Sequence, residues 1–324
     1  MLRGGQAAAA ARSAASSARR SYATAPVPVE LSFEKQAPAA GLGSSQAPLV
    51  VLHGLYGSKQ NWRSLAKGMA SKLGRDLYTL DLRNHGASPH KRECSYEDLA
   101  ADVKAFIEER ERLSDCIVVG HSMGGKVAMA LALGGCDPLS KLVVVDIAPG
   151  VGKVSPEFQA YLDAMKAIDD AKVMSRKEAD AILQKTEPDL GIRQFLLTNM
   201  DRADPSSPYR FRLPLHFLRN AIDEIGHFPY APGEKVFEKP SLFLKGASPL
   251  LVAVRRGVSR GLADSRTRSN FAGAKSKYIN SRNIPIIKQF FPNSQLETLD
   301  AGHWVHAERP KEFVELLHTF CNKD

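Results

Sequence analysis

Long hydrophobic runs are absent from this 324-residue sequence: no stretch of about 18 consecutive apolar residues occurs, which argues against a transmembrane helix. Cysteine is scarce, and the four cysteines form no CxxC pair and no spacing typical of metal ligands. We therefore expect free thiols, as in a reducing compartment, with no metal site and no cofactor. The cysteines are Cys94, Cys116, Cys136 and Cys321.

Acidic residues are absent from residues 1–25, which contain four arginines and many Ala and Ser residues. This composition predicts a mitochondrial transit peptide over residues 1–22, with cleavage after Tyr22 in Arg20-Ser21-Tyr22-Ala23. The alternative is a disordered basic tail. A secretory signal is not expected, because no compact apolar segment follows the charges. The predicted location is the mitochondrial matrix.

Positive charge is in surplus, with a net charge of +9 at pH 7. Four of these charges come from residues 1–25 and four more from residues 247–273, so the rest of the chain is nearly neutral. No basic face is expected on the folded part, and we therefore expect no nucleic-acid partner.

Short apolar runs alternate with segments of helical periodicity through most of the chain. Continuous apolar strands suit a sheet covered on both faces, and the alternation predicts a mostly parallel α/β sheet flanked by helices. The predicted strands are residues 49–52, 77–80, 117–119, 142–145, 242–244 and 295–299, with an antiparallel edge at 29–33. The predicted helices of this part are residues 96–112, 122–133 and 310–320.

This alternation stops after Pro149-Gly150. The following stretch has helical periodicity interrupted by prolines, and we predict a helical lid over residues 151–235, inserted after the sixth strand of the sheet. The α/β core then comprises residues 27–150 and 236–322. The predicted helices of the lid are residues 156–173, 176–185, 191–200 and 215–225.

A G-x-S-x-G motif, Gly120-His121-Ser122-Met123-Gly124, follows a predicted strand and precedes a predicted helix. In this context a nucleophilic serine lies on a tight turn, where glycines leave room for the neighbouring backbone. Ser122 is therefore the predicted nucleophile. The motif alone also fits an ordinary glycine-rich turn between strand and helix.

A second turn, His53-Gly54-Leu55-Tyr56-Gly57, follows an earlier predicted strand. It can direct a backbone N–H at the space above Ser122, so the predicted oxyanion donors are the amides of Leu55 and Met123. The alternative is a phosphate-binding loop, but the Gly-Lys-Ser/Thr ending of such loops is missing. His53 is expected to shape the turn rather than to act as a base.

The base and the acid are expected later in the chain. His303 lies between a predicted strand and a predicted helix and is the predicted base, with His306 as its competitor. Asp146 ends a predicted strand and is the preferred acid, because its rival Asp264 lies in residues 247–273, a stretch without periodicity that we call the anomalous segment. Asp81, which also follows a strand, is interpreted as part of a structural turn.

The chain resembles the mitochondrial branch of α/β hydrolases that includes the alpha/beta-hydrolase-domain eleven proteins and yeast ethanol acetyltransferase. It is also similar to small bacterial esterases of that branch. The resemblance spans about residues 27–322 and implies the α/β-hydrolase fold, Asp146 as the triad acid, and activity as an esterase, thioesterase or alcohol acyltransferase. The shared runs are His53-Gly54-Leu55, Asp81-Leu82-Arg83-Asn84-His85-Gly86, Gly120-His121-Ser122-Met123-Gly124-Gly125-Lys126, Val145-Asp146-Ile147-Ala148-Pro149 and Gly302-His303-Trp304.

Residues 247–273 depart from this family pattern. They are rich in Arg and Ser, lack periodicity, and are flanked by Gly-Ala at both edges, as Gly246-Ala247 and Gly273-Ala274. Without them, Phe243-Leu244-Lys245-Gly246 would continue directly into the turn Ser276 to Ile279. We hypothesise that the segment is a translated, in-frame intron; the alternative is a genuine surface loop, which folded chains tolerate well.

The sequence therefore predicts a serine hydrolase that cleaves carboxylic esters or thioesters through an acyl-serine intermediate, with a small-molecule acyl substrate. One alternative is an alcohol O-acyltransferase that makes short esters from acyl-CoA and an alcohol. Another is a protein that binds a mitochondrial partner and carries a vestigial site.

Overall fold

The computed structural model describes residues 25–38, 46–150, 152, 154–247 and 278–323. The predicted transit peptide lies outside these residues, and so does nearly all of the anomalous segment, including Asp264. Within the described residues, no helix is both long and apolar enough to cross a lipid bilayer.

Among the described residues, seven strands form one sheet, and numbered along the chain they lie in the order 1-3-2-4-5-8-9. In the described sheet β1 pairs antiparallel with β3, and the other strand pairs are parallel. Two further short strands, β6 and β7, pair with each other. The strands are β1 (Phe33–Gln36), β2 (Leu49–Leu52), β3 (Leu77–Leu80), β4 (Cys116–His121), β5 (Leu139–Val145), β6 (Met200–Asp201), β7 (Arg210–Phe211), β8 (Ser241–Gly246) and β9 (Ser294–Leu299).

Helices cover both faces of this sheet, as the continuous apolar strands predict. Neighbouring residues of β2 belong to different hydrophobic clusters: Val50 and Leu52 pack in one, Leu49 and Val51 in the other. The helices are α1 (Arg63–Leu73), α2 (Tyr96–Ala105), α3 (Met123–Gly134), α4 (Pro156–Ala171), α5 (Arg176–Leu183), α6 (Leu190–Leu197), α7 (Leu215–Gly226), α8 (Ile284–Phe290), α9 (Val305–Glu308) and α10 (Pro310–Cys321). The prediction of a mostly parallel sheet flanked by helices is confirmed.

The antiparallel edge strand is present but begins later than predicted. It starts at Phe33 rather than at Val29, because the amide of Val29 donates to the Asp102 carboxylate (2.7 Å) instead of pairing with a strand. Five strands of the described chain precede the stretch between β5 and β8, which matches the five strands predicted before residue 151 and not the position of the lid after a sixth strand.

That stretch contains four helices, α4 to α7, which lie close to the four helices predicted there. The short pair β6–β7 was not predicted, since two-residue strands leave no periodic signal. Both observed segments sit between α6 and α7, where Pro205 and Pro208 indicate an interruption.

Candidate active site

The ends of the adjacent parallel strands β4 and β5 bring Ser122 and Asp146 to the same edge of the sheet. The amide of Ser122 donates to the carbonyl of Val145 (3.0 Å), and the amide of Asp146 donates to the carbonyl of Leu244 (2.8 Å). The carboxyl edge of a parallel sheet is where α/β proteins usually bind ligands. Both side chains therefore leave the sheet from well-anchored backbone.

Ser122 occupies a strained turn between β4 and α3, with φ 54° and ψ −119°. This conformation is rare for a residue with a side chain, and such strain is concentrated at functional sites. The flanking glycines make it feasible. A Cβ on Gly120 would lie 2.2 Å from the carbonyl oxygen of Gly124, and a Cβ on Gly124 would lie 2.5 Å from that of His53. The turn predicted from the motif is thus present with its close backbone approach.

The structure brings His303 between Ser122 and Asp146. The Nε2 atom of His303 lies 3.0 Å from the Ser122 hydroxyl, and its Nδ1 atom lies 2.8 Å from Oδ2 of Asp146. The Asp146 side chain is fully buried, whereas that of His303 is 12% exposed. The other carboxylate oxygen of Asp146 accepts a hydrogen bond from the amide of Gly246 (3.0 Å). Serine, imidazole and carboxylate are therefore connected in the order that acyl transfer requires.

The competing histidine lies elsewhere. His306 is buried and stacks on Trp62, with ring centroids 4.1 Å apart and planes inclined by 13°. Burial lowers the pKa of His306 to about 3, so its ring is neutral near pH 7. It packs behind the site and takes no part in the Ser122 hydrogen bond.

His121, inside the G-x-S-x-G motif, has a role that the sequence analysis missed. Its Nε2–H donates to the backbone carbonyl of His303 (2.9 Å), which ties the histidine loop to the serine turn. Burial holds the pKa of His121 well below its usual value, so the ring is neutral and one nitrogen can donate. The motif position was visible in the sequence, but its partner lies 182 residues away.

The predicted oxyanion residues, Leu55 and Met123, line the same cavity as Ser122. Met123 is the first residue of α3, so helix geometry leaves its amide without an intrahelical acceptor. Leu55 lies in a turn closed by a hydrogen bond from the amide of Gly57 to the carbonyl of Gly54 (2.9 Å). One predicted donor thus lies in each of the two turns that the motifs predict.

His53 is fully engaged in shaping its turn. Its Nδ1–H donates to the carbonyl of Gly54 (2.8 Å), and its Nε2 accepts from the amide of Leu82 (3.0 Å). Burial lowers the pKa of His53. With both ring nitrogens occupied, it is not available as a base.

Asp81 lies in a buried turn, as interpreted from the sequence. Its carboxylate accepts from the amides of Lys59 (2.7 Å) and Ala87 (2.9 Å) and pairs with the Lys59 ammonium. These contacts hold the loop after β3 against the turn that carries Leu55. They give Asp81 a structural function and leave Asp146 as the carboxylate next to His303.

A cavity of about 750 Å³ opens directly on Ser122 and His303. Its walls include apolar side chains from the helices between β5 and β8, namely Phe158, Ile192, Phe195, Leu196 and Ile225. The ring of Tyr278 lies 4.2 Å from the His303 ring, centroid to centroid. A cavity of this size, mostly apolar and with few polar groups, is typical of small-molecule sites.

Lys126, one turn after Ser122 on α3, is a buried cation near this cavity. Its ammonium donates to the carbonyls of Gly226 and His227 (both 3.0 Å), at the C-terminal end of α7. Burial lowers its pKa to about 8. A cation at a helix C-terminus is favourable, so Lys126 fastens the end of α7 to the helix that starts at the serine turn.

The fold carries a serine on a strained strand–helix turn, with a histidine–carboxylate pair beside it. This arrangement is typical of serine hydrolases. The family model described as alpha/beta hydrolase fold matches residues 47–310. The chain belongs to the α/β-hydrolase fold family, as predicted, and is an enzyme of the hydrolase class.

Three relatives place the chain within this family. It is 35% identical to a zebrafish (Danio rerio) protein named sn-1-specific diacylglycerol lipase ABHD11, over 86% of this chain and 80% of that protein. It is also 35% identical to a probable alcohol acetyltransferase of Saccharomyces cerevisiae, over 92% of this chain and 84% of that protein. Among solved structures it matches a marine microorganism esterase with a TM-score of 0.73 and 33% identity, over 90% of this chain and 99% of that chain.

Proposed function

We propose that the protein cleaves carboxylic esters or thioesters with Ser122, His303 and Asp146 as its catalytic triad. The observation that carries the proposal is the pair of contacts made by one imidazole, 3.0 Å to the Ser122 hydroxyl and 2.8 Å to the Asp146 carboxylate. The burial of Asp146 strengthens its interaction with an imidazolium, because little water screens the pair.

The proposed chemistry has two stages. His303 Nε2 takes the hydroxyl proton of Ser122 as Oγ attacks the carbonyl carbon, and the amides of Leu55 and Met123 stabilise the negative oxygen. The imidazolium then gives its proton to the leaving alcohol or thiol, which leaves an acyl-serine. In the second stage His303 takes a proton from water, the hydroxide attacks the acyl carbon, and Ser122 regains its proton as the acid departs.

We propose that residues 151–235 act as a lid that binds the acyl chain. Apolar side chains from α4, α6 and α7 face the cavity, so an acyl group attached to Ser122 would be surrounded by hydrocarbon. Such walls also reduce the access of water to the acyl-serine. Residues 27–150 and 236–322 would then form the α/β core that holds the triad.

A second candidate is alcohol O-acyl transfer, in which an alcohol replaces water in the second stage. The similarity to a protein named as a probable alcohol acetyltransferase favours it, together with the apolar cavity. The alternative of a partner-binding protein with a vestigial site has no such support. Incubation with acetyl-CoA and ethanol, followed by gas chromatography, separates ethyl acetate formation from hydrolysis.

We also propose that the protein acts in the mitochondrial matrix. The Arg-rich, acid-free residues 1–22 support this location. A fusion of residues 1–22 to a fluorescent protein should be imported into mitochondria and cleaved after Tyr22, as measured by imaging and N-terminal sequencing. A fusion with the four arginines replaced by Gln is the matched control, and cytosolic retention of the unaltered fusion would argue against the proposal.

The central experiment is a hydrolysis panel of p-nitrophenyl esters and acyl-CoAs of increasing chain length. Ser122→Ala should lose nearly all turnover and all labelling by a fluorophosphonate probe, because the nucleophile is gone. Ser206→Ala, at an exposed serine between β6 and β7, is the matched control and should retain wild-type rates. Equal rates for wild type and Ser122→Ala would refute the proposal.

A further inference from the structure

Tyr56 stands directly after Leu55, and its backbone conformation is unusual. Its φ is 59°, in the left-handed region that residues with a bulky side chain rarely adopt, and its side chain is completely buried. A strained residue of this kind persists only where its surroundings hold it.

Three hydrogen bonds hold Tyr56, and two of them come from the proposed lid. Its hydroxyl donates to the carbonyl of Phe158 on α4 (2.9 Å), and its carbonyl accepts from Nδ2 of Asn199, just after α6 (2.7 Å). The third lies within the α/β core, where its amide donates to Nε2 of His85 (3.2 Å). Burial lowers the pKa of His85 to about 3, so this ring is neutral and its Nε2 can accept.

We propose that Tyr56 is a positioning residue that couples the lid to the oxyanion turn. The inference rests on the proposed function, because it assigns Leu55 as an oxyanion donor. The Tyr56 carbonyl, which accepts from Asn199, shares its peptide plane with the Gly57 amide. That amide donates to the carbonyl of Gly54 (2.9 Å), which in turn shares its peptide plane with the Leu55 N–H. A rotation of Tyr56 is therefore transmitted to the Leu55 N–H. The two lid contacts thus fix the direction of the Leu55 amide, and the oxyanion site is complete only when α4 and Asn199 are seated on Tyr56.

This coupling predicts an effect on kcat that a purely structural role of Tyr56 does not. Losing an oxyanion donor typically lowers kcat by about a hundredfold to a thousandfold. Misdirecting one should give a partial loss, of about tenfold to a hundredfold, that appears in kcat rather than in KM, because the amide interacts most strongly with the charged oxygen of the transition state.

Tyr56→Phe tests the proposal, because it removes the contact to Phe158 and keeps the ring. We expect kcat for a p-nitrophenyl ester to fall at least about tenfold with KM within about twofold, and the affinity for a trifluoromethyl ketone inhibitor to fall by the same factor as kcat/KM. Asn199→Leu, which removes the second lid contact, should act in the same direction.

Tyr96→Phe is the matched control. The Tyr96 hydroxyl also donates to a carbonyl at the end of a lid helix, that of Ile225 (2.8 Å), but Tyr96 belongs to α2 and is not joined to the oxyanion turn. Its loss should change thermal stability about as much as Tyr56→Phe does, and kcat by no more than about twofold.

The outcomes separate this inference from the proposed function. Equal kcat for Tyr56→Phe and Tyr96→Phe, or a loss confined to KM or thermal stability, would overturn the coupling while leaving the triad intact. An inactive wild type that is not labelled by the fluorophosphonate would instead overturn the proposed function, and the coupling with it.

Discussion

Replacing Asp146 by Asn should stop catalysis by imposing the wrong imidazole tautomer on His303. The amide of Gly246 donates to Oδ1 of Asp146, so an Asn in this position keeps its oxygen there and turns its NH₂ towards Nδ1 of His303. The ring must then accept at Nδ1 and carry its proton on Nε2. In that form Nε2 cannot take the proton of Ser122.

The expected loss is about 10⁴-fold in kcat, which corresponds to about 5.4 kcal/mol of transition-state free energy. The assay is p-nitrophenyl ester hydrolysis at pH 7 to 8, with the fold of the variant checked by circular dichroism. Asp264→Asn, at the rival acid, is the control and should keep wild-type kcat. The reasoning is refuted if Asp146→Asn retains more than about a tenth of the activity, and a large loss in Asp264→Asn would transfer the acid's role to that residue.

Three further predictions concern stability and chain length. Gly120→Ala should destabilise the fold by about 3 kcal/mol or more in urea unfolding, because the new Cβ would lie 2.2 Å from the Gly124 carbonyl oxygen; a change under 1 kcal/mol would contradict the close approach. His306→Phe should make the fold less sensitive to acid. The pKa of His306 is about 3 in the folded state, below its unfolded value, so this residue lowers wild-type stability as pH drops from about 6.5 towards 3, by about 2 kcal/mol at pH 5. An unchanged pH dependence of stability in the variant would be evidence against this. Deletion of residues 247–273 should leave a folded, active enzyme, as measured by melting temperature and kcat, and the transcript should lack the corresponding codons; a message that encodes all of them would end the intron hypothesis.

The order and type of the elements could be predicted because the strands are short, continuous and apolar. Residues 49–52 and 77–80 were predicted with their observed ends, since both strands are buried throughout and polar residues flank the apolar runs: His53 follows the first, and Asp76 and Asp81 flank the second. The edge strand was placed too early, because alternation at residues 29–33 reports which side chains are buried but not which amides pair. The Val29 amide bonds to Asp102, 73 residues away.

The site was predictable where chemistry follows local motifs. A strand or helix that is visible in the sequence adjoins each of Ser122, His303 and Asp146. The adjacent, parallel strands then bring these three residues to the same edge of the sheet. The supports of the site were not predictable. His121 bonds to the carbonyl of His303, and Asn199 bonds to the carbonyl of Tyr56 across 143 residues. Such contacts depend on how loops meet in three dimensions and leave no periodic trace.

The Gly246 amide, which donates to the Asp146 carboxylate, lies next to a point in the chain where a second domain could be inserted. The amide of the next residue, Ala247, still donates to the carbonyl of Leu299 (2.9 Å), so the pairing between β8 and β9 extends to this residue. A sensor domain inserted after Ala247 would begin one residue from the group that orients the carboxylate. Ligand binding in that domain could then be read directly as a change in the rate of ester hydrolysis.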